Sequence, residues 1–586
     1  MQGCLSPKRK RSNVGRVSVD SMHGRAQREE HLPPGPQNLR ELYNCYADDV
    51  HSFTSAEHDR LWAHVEDGGI KMNSNYSGMM TEQESLWRPL CQHAMLRSLD
   101  ESFVMDRLAF AYVCDNGRTP QFLALEHEKG WHGNKLCLHN DVRAYLQRPA
   151  RKHLEGLYSK AAKKGLPMED AYAEGLDWIV DNLDKAYNED MRVWCLVHDR
   201  KCRVDTCDPL PNVEASRPLS MFFAGVTCNA WSRQSNNNMR FAHSSEAAHN
   251  AMLGRRIFLA KKKLEDIFCI ECTVGYDAFR KIAEPLKQTH HVVWLTVDPL
   301  TEGVPHRRPR VYIVGINLAS YRWLGGDVQD EYGGKFMRSR QLTGMVFFNA
   351  TGQERITEYK QLAEMQANFP DDDVLLELPP DGLVRAVFSP EALTRLGGLM
   401  KLKDAECSLA GDFIFDLDHN PGQFQKAGQV WPCMLTHGSI LGLSGGQCQL
   451  ATGLEHIGAL GWPLFPSTYS VGQKVSPMLP HFQKLHLWQQ KVLAGRGIYM
   501  PCLARWFMYI LGNVRKVETG SPGAPLQSYD DDDDSMWCQG FASNLGCCEC
   551  TAVATCLFVR QVLLELRSGT RRVEATSFST EGRGSF

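Results

Sequence analysis

The chain has 586 residues, more than one hydrophobic core ordinarily serves, so about two to four units are expected. Its 43% hydrophobic and 23% charged residues and formal charge of −3 exclude a fibre, a wholly disordered chain and a globally basic surface; any nucleic-acid contact must use a local basic patch. No run of about 18 apolar residues marks a membrane span, and no apolar stretch near the start marks a secretory signal.

In chain order, residues 1–45 read as a disordered basic tail. Within it Pro7-Lys8-Arg9-Lys10-Arg11 suits a nuclear import signal and equally a solvated tail. The 20 cysteines, scattered through apolar segments such as Ile267-Phe268-Cys269-Ile270, read as reduced thiols of a cytosolic or nuclear protein. The expected location is the nucleus.

Residues 46–317 alternate strand and helix. Strands are expected at 70–76, 109–114, 136–139, 220–224, 267–270, 292–297 and 311–316, and helices at 82–96, 119–129 and 245–264. Such alternation implies an α/β domain, a largely parallel sheet with helices on both faces. A helical insertion covers about 148–195. Residues 318–430 lose the rhythm and read as a smaller irregular domain; 431–516 return to longer apolar segments. Residues 517–586 read as an acidic linker and a disordered Cys-rich tail.

Four features carry chemistry. Tyr76-Ser77-Gly78-Met79-Met80 lies at a strand-to-helix junction, where backbone N–H groups can approach a ligand. Asp115 and Asp141 follow the next two strands; carboxylates there can bind ribose hydroxyls and an exocyclic amine, or simply cap helices. Cys228 follows an apolar strand on a loop of small residues, where a thiol can be exposed and activated. Glu271 ends another apolar strand, so partial desolvation should raise its pKa. Finally His306, Arg308 and Arg310 enter a strand at alternate positions, a row able to orient a pyrimidine carbonyl and phosphates.

The order of these features resembles the cytosine-C5 DNA methyltransferases. That family places a Phe-x-Gly-x-Gly turn first, then Pro-Cys-Gln-x-x-Ser, Glu-Asn-Val, and Gln-x-Arg-x-Arg before a strand ending in Gly. The matching segments here are Tyr76 to Met80, Thr227-Cys228-Asn229-Ala230-Trp231-Ser232, Glu271-Cys272-Thr273, and Gly303-Val304-Pro305-His306-Arg307-Arg308-Pro309-Arg310 running to Gly315. Pro432-Cys433, Glu455 to Pro463 and Ala494-Gly495-Arg496-Gly497-Ile498 resemble the later segments, the last opening a helix to Leu511. The resemblance covers roughly residues 68–516. Departures are Thr227 for proline, Cys272-Thr273 for Asn-Val, His306 for glutamine, Arg496 for asparagine, and Met80 for glycine.

The resemblance implies a Rossmann-like S-adenosylmethionine-dependent methyltransferase sheet with a target-recognition domain at 318–430 and a return segment at 431–516. It implies Cys228, Glu271 and Arg308 as catalytic residues. Tyr76, Ser77, Gly78, Met79, Met80, Asp115, Asp141 and Gly495 would hold S-adenosylmethionine, and Ser232, His306 and Arg310 the substrate. The Cys228 thiolate would add to C6 of a flipped cytosine, Glu271 would share a proton with N3, and Arg308 would hold O2. DNA is the expected partner; transfer RNA, the substrate of one branch with small recognition regions, is the alternative. A catalytically degenerate nucleic-acid-binding or regulatory protein is a second alternative. The spacing of Cys195, His198, Cys202 and Cys207 would suit zinc but lacks a paired C-x-x-C, so free thiols and no metal are expected.

Overall fold

The computed structural model describes residues 31–131, 136–204, 217–226, 245–274, 289–365, 411–418, 427–436, 438–445, 447–466 and 475–517, with a few further positions between 286 and 398. Its centre is a seven-stranded sheet. In chain order the strands are β1 (Ile70–Asn75), β2 (Leu108–Cys114), β3 (Cys137–His139), β6 (Leu219–Gly225), β7 (Ile267–Thr273), β8 (His290–Val297) and β9 (Arg310–Asn317), and between β3 and β6 lies a separate hairpin of β4 (Arg192–Cys195) and β5 (Arg200–Arg203). The order across the sheet is β3-β2-β1-β6-β7-β9-β8. All pairs from β3 to β7 are parallel, and β9 runs antiparallel to both its neighbours.

Successive side chains of a strand point to opposite faces, and here both faces are buried. Met221 and Phe223 of β6 join one core, while Phe222 and Ala224 join another. The first core is completed by α1 (Ser55–Glu66), α2 (Thr81–Leu96) and the apolar helix over Met500–Asn513. On the other face lie α4 (Arg148–Lys164), α5 (Met168–Asp181) and α6 (Glu246–Lys261), and α3 (Arg118–Trp131) leads from β2 to β3. Gly315 of β9 sits opposite Phe268, where an added Cβ would come within 2.1 Å of the Phe268 ring, so only glycine lets this cross-strand pair close. The α/β fold with helices on both faces, read from the alternation, stands.

A four-stranded antiparallel sheet of order β12-β11-β13-β14 forms the smaller unit, from β11 (Phe413–Asp416), β12 (Ala427–Gly428), β13 (Ile440–Ser444) and β14 (Gln447–Leu450). Its strands come from both sides of residue 430. The return segment is broken into α7 (Leu487–Arg496) and α8 (Met500–Asn513), with Pro501 in the first turn of α8, rather than one helix from Ala494. After α8, β15 (Val514–Lys516) pairs antiparallel with β10 (Tyr321–Trp323). Residues 31–45, expected to be disordered, instead pack on the core: Asn38 caps a short helix Leu39–Tyr43 whose Leu39, Leu42 and Tyr43 are buried. Residues 1–30 and the tail beyond 517 lie outside the described residues.

Candidate active site

The chain moves outward in one direction from β1 to β2 and β3, and in the other from β6 to β7. The order therefore reverses between β1 and β6, and the carboxyl ends of these two strands open the crevice where an open α/β sheet binds its ligand. Tyr76 to Met80 follow β1 directly. The turn is tight: Tyr76, Gly78 and Met80 have φ of 58°, 55° and 63°, and an added Cβ on Gly78 would meet nothing within 4 Å. Met80 is the cap of α2 in place of the usual hydrogen-bonding residue. Met79 is buried and packs where a Cβ on Gly497 would stand.

Asp115 follows β2 and reaches across to this turn. Its Oδ2 accepts the Gly78 N–H at 3.2 Å and its Oδ1 accepts the Gly117 N–H at 2.8 Å. Burial raises its pKa above the ordinary carboxylate range, and these N–H donors and Arg496 partly offset the shift. Asn75, fully buried at the end of β1, has neither amide atom bonded among the described residues, and the Tyr76 hydroxyl is likewise unbonded. Behind the turn Ser74 Oγ, in contact with Ser77, donates at 2.5 Å to Glu82, whose carboxyl burial pushes up to about 7. Sequence reasoning missed Glu82; its place in the first turn of α2, one residue after Thr81, gave no sign of burial.

Open space beside Gly78, unsatisfied amide and hydroxyl groups, and a carboxylate at the end of β2 fit a polar nucleoside-like group such as S-adenosylmethionine. Asp141 lies near the Tyr76 hydroxyl, with its carboxylate already partnered. It caps the short helix Val142–Tyr145, accepting the Arg143 N–H at 2.9 Å, and pairs with the Arg143 guanidinium at 2.7 Å.

On the other side, β6 ends at Gly225, where an added Cβ would meet Ile498 at 2.8 Å. The Val226 N–H donates to the Glu271 carbonyl at 2.9 Å. Cys228 is two residues on; it and Ser232 lie outside the described residues. Glu271 is 4% exposed at the end of β7. Arg310 Nε stands 3.1 Å from its Oε1, a buried ion pair. Burial raises the Glu271 pKa, against the pull of Arg310 and then Arg308.

The expected row of His306, Arg308 and Arg310 does not form. Pro309 has no N–H for the ladder, and β9 starts only at Arg310. The three side chains diverge. His306 is fully buried against Phe347 and Tyr499, it bridges to Trp431, and burial drives its pKa far down. Arg308, 2% exposed, donates to the carbonyls of Gly495 (3.0 Å) and Gly497, and lies 3.9 Å from the Cys433 sulfur. Arg310 pairs with Glu271, and the Arg308 charge acts on the same carboxylate more weakly. Gly495 is positioned by close packing: an added Cβ would stand 2.5 Å from the Thr436 backbone.

No model of a known protein family matches the chain, and no curated protein matches it. Among solved structures it is similar to the Entamoeba histolytica methyltransferase EhMeth, with 9% identity over 75% of this chain and 98% of that one and a TM-score of 0.35. It is similar also to the S. pombe Dnmt2 methyltransferase (12%, 75% and 98%, TM-score 0.37) and to a Spodoptera frugiperda DNMT2 mutant (11%, 76% and 99%, TM-score 0.33).

Proposed function

We propose that the chain is an S-adenosylmethionine-dependent cytosine-C5 methyltransferase acting on DNA, with Cys228 as nucleophile. The observation that carries this reading is the buried Glu271 beside Arg310, joined by its own carbonyl to Val226, two residues before Cys228. A raised carboxyl pKa suits a group that shares a proton with a ring nitrogen. S-adenosylmethionine, when bound, supplies an electrophilic methyl group on a sulfonium. Asp115 would hold ribose hydroxyls through the lone pairs left by Gly78 and Gly117.

In this reading the Cys228 thiolate adds to C6 and makes C5 nucleophilic. Glu271 holds a proton at N3 and offsets the charge that addition places there. The O2 contact falls to Arg310, the guanidinium that faces Glu271, because Arg308 is committed to the return segment. Once C5 carries the methyl group, a water molecule takes the C5 proton, and the C6–S bond breaks with its electron pair returning to the Cys228 sulfur, which releases the product. The target base must be flipped out of a duplex, and the unit built on β11 to β14 is the proposed reader of the flanking sequence. Its size and the basic residues 8–11 favour DNA over transfer RNA.

The test is transfer of a labelled methyl group to unmodified DNA and, in parallel, to transfer RNA. The expected outcome is labelled DNA, and trapping on 5-fluorocytosine DNA that Cys228→Ser abolishes. Labelled transfer RNA alone would move the substrate. Soluble protein with no transfer and no adduct on either would reduce the chain to a binding protein.

A further inference from the structure

The hairpin of β4 and β5 carries Cys195-Leu196-Val197-His198-Asp199-Arg200-Lys201-Cys202. Cys195 ends β4, His198 lies in the turn, which Asp199 closes with φ of 48°, and Cys202 stands on β5, paired with Val193. The hairpin lies against the edge of the central sheet, where the Leu196 N–H donates to the Leu138 carbonyl of β3 at 2.8 Å. That contact brings a fourth group, Cys137 at the start of β3, to the other three. Cys207, the fourth member suggested by spacing, lies outside the described residues. Cys137 is 58 positions before Cys195 and could be found only through the pairing of strands.

The four ligand atoms lie within 4.8 Å of one another. The His198 Nδ1 is 3.2 Å from the Cys195 sulfur, 3.5 Å from Cys202 and 3.6 Å from Cys137. A single ring nitrogen has one proton or one lone pair, so it can serve one of these sulfurs by hydrogen bonding and not all three. A tetrahedral ion satisfies all at once. With bonds of about 2.3 Å to sulfur and about 2.0 Å to nitrogen, tetrahedral angles set each sulfur about 3.5 Å from the nitrogen. Three cysteines and a histidine are a closed, soft donor set that suits zinc and leaves no position for water or substrate.

We propose that Cys137, Cys195, His198 and Cys202 hold one structural zinc ion that fastens the hairpin to the edge of the sheet. The hairpin needs such a fastener. Its strands have four residues each, and a two-stranded ribbon alone is marginal in water. Of its apolar side chains Val193 is buried, in a small cluster with Tyr145 and Val142, while Trp194 and Leu196 are exposed. That cluster includes the short helix capped by Asp141, so the ion would also steady the outer wall of the crevice. The inference is independent of the catalytic reading.

The test is metal analysis of the full chain, purified without chelator, beside Cys137→Ser and Cys202→Ser. The expected result is about one zinc lost from each variant relative to the parent. Because a variant can fail to fold, the parent chain is also exchanged with cobalt(II). Intense sulfur-to-cobalt charge-transfer absorption and the visible bands of a tetrahedral ion are expected. Equal zinc in parent and soluble variants would overturn the proposal, since any ion would then sit elsewhere in the chain. So would cobalt spectra without thiolate bands, or a disulfide among the three cysteines in the purified parent.

Discussion

On the β1–β2 side of the crevice the Asp115 carboxylate is held by two backbone N–H groups, whereas on the β7–β9 side the Glu271 carboxylate pairs with the Arg310 guanidinium. Backbone donors are fixed dipoles. They hold a carboxylate in one orientation and leave its outer lone pairs for neutral hydroxyls. Burial raises the pKa of the Glu271 carboxyl, and the Arg310 guanidinium beside it pulls the other way. In the proposed reading one side binds and the other exchanges a proton. This division of labour can be broken at either end.

The largest effect is expected at Glu271. Glu271→Gln keeps the shape and removes the proton exchange, so methyl transfer should fall about 10²- to 10⁴-fold. Calorimetric affinity for S-adenosylmethionine should not change, because Asp115 and its turn are untouched. A variant with normal turnover would leave Glu271 as a strand-end carboxylate and nothing more.

Arg308 comes next, and it separates the expected role from the observed one. Its guanidinium bonds to the carbonyls of Gly495 and Gly497, which hold the end of α7 against the turn after β1. Bonds to a charged donor are worth about 1.5–3 kcal/mol each, so Arg308→Ala should cost about 4 kcal/mol of stability. Thermal unfolding checks it. A stable but inactive Arg308→Ala would return the base contact to Arg308 and away from Arg310.

The fold was legible because its signals are local: apolar runs of strand length, alternating with helical patterns, give both the elements and their parallel order. The positions of Tyr76 to Met80, Asp115 and Glu271 were legible for the same reason, since each sits near a strand end that periodicity reveals; Cys228 lies outside the described residues. What failed was long-range or one-residue geometry. Two prolines around Arg308 end the strand early and send His306, Arg308 and Arg310 three ways. The short helix Leu39–Tyr43 hid in a polar, Pro/Gly-rich context, and its apolar face only acquires meaning against α8 and its neighbours. Cys137 could not be tied to Cys195 without knowing that the hairpin runs beside β3.

Glu82 sharpens the binding side through pH. Burial lifts its carboxyl to about 7 from 4.5. Between those values the folded chain keeps the proton that the unfolded chain has released, so stability falls as pH rises through the window. The cost is complete above about pH 7 and absent below about pH 4.5. Glu82→Gln lacks it. The stability of the variant relative to the parent should therefore rise from pH 5 to pH 8, by up to roughly 3 kcal/mol. A difference that stays flat with pH would mean that Ser74 and Ser77 hold the carboxylate charged throughout.

The smallest effect is expected at Asp141, and it decides how far the binding side extends. Its two oxygens cap the helix Val142–Tyr145 and pair with Arg143, a half-exposed ion pair of little worth in water. Asp141→Ala should therefore cost about 1 kcal/mol, the usual value of a lost cap. S-adenosylmethionine affinity should change less than about twofold, because the carboxylate already has its partners in the Arg143 N–H and guanidinium. A tenfold weaker affinity at unchanged stability would mean that Arg143 releases Asp141 when the ligand enters. The binding side would then include the end of β3, beside the wall that the hairpin supports.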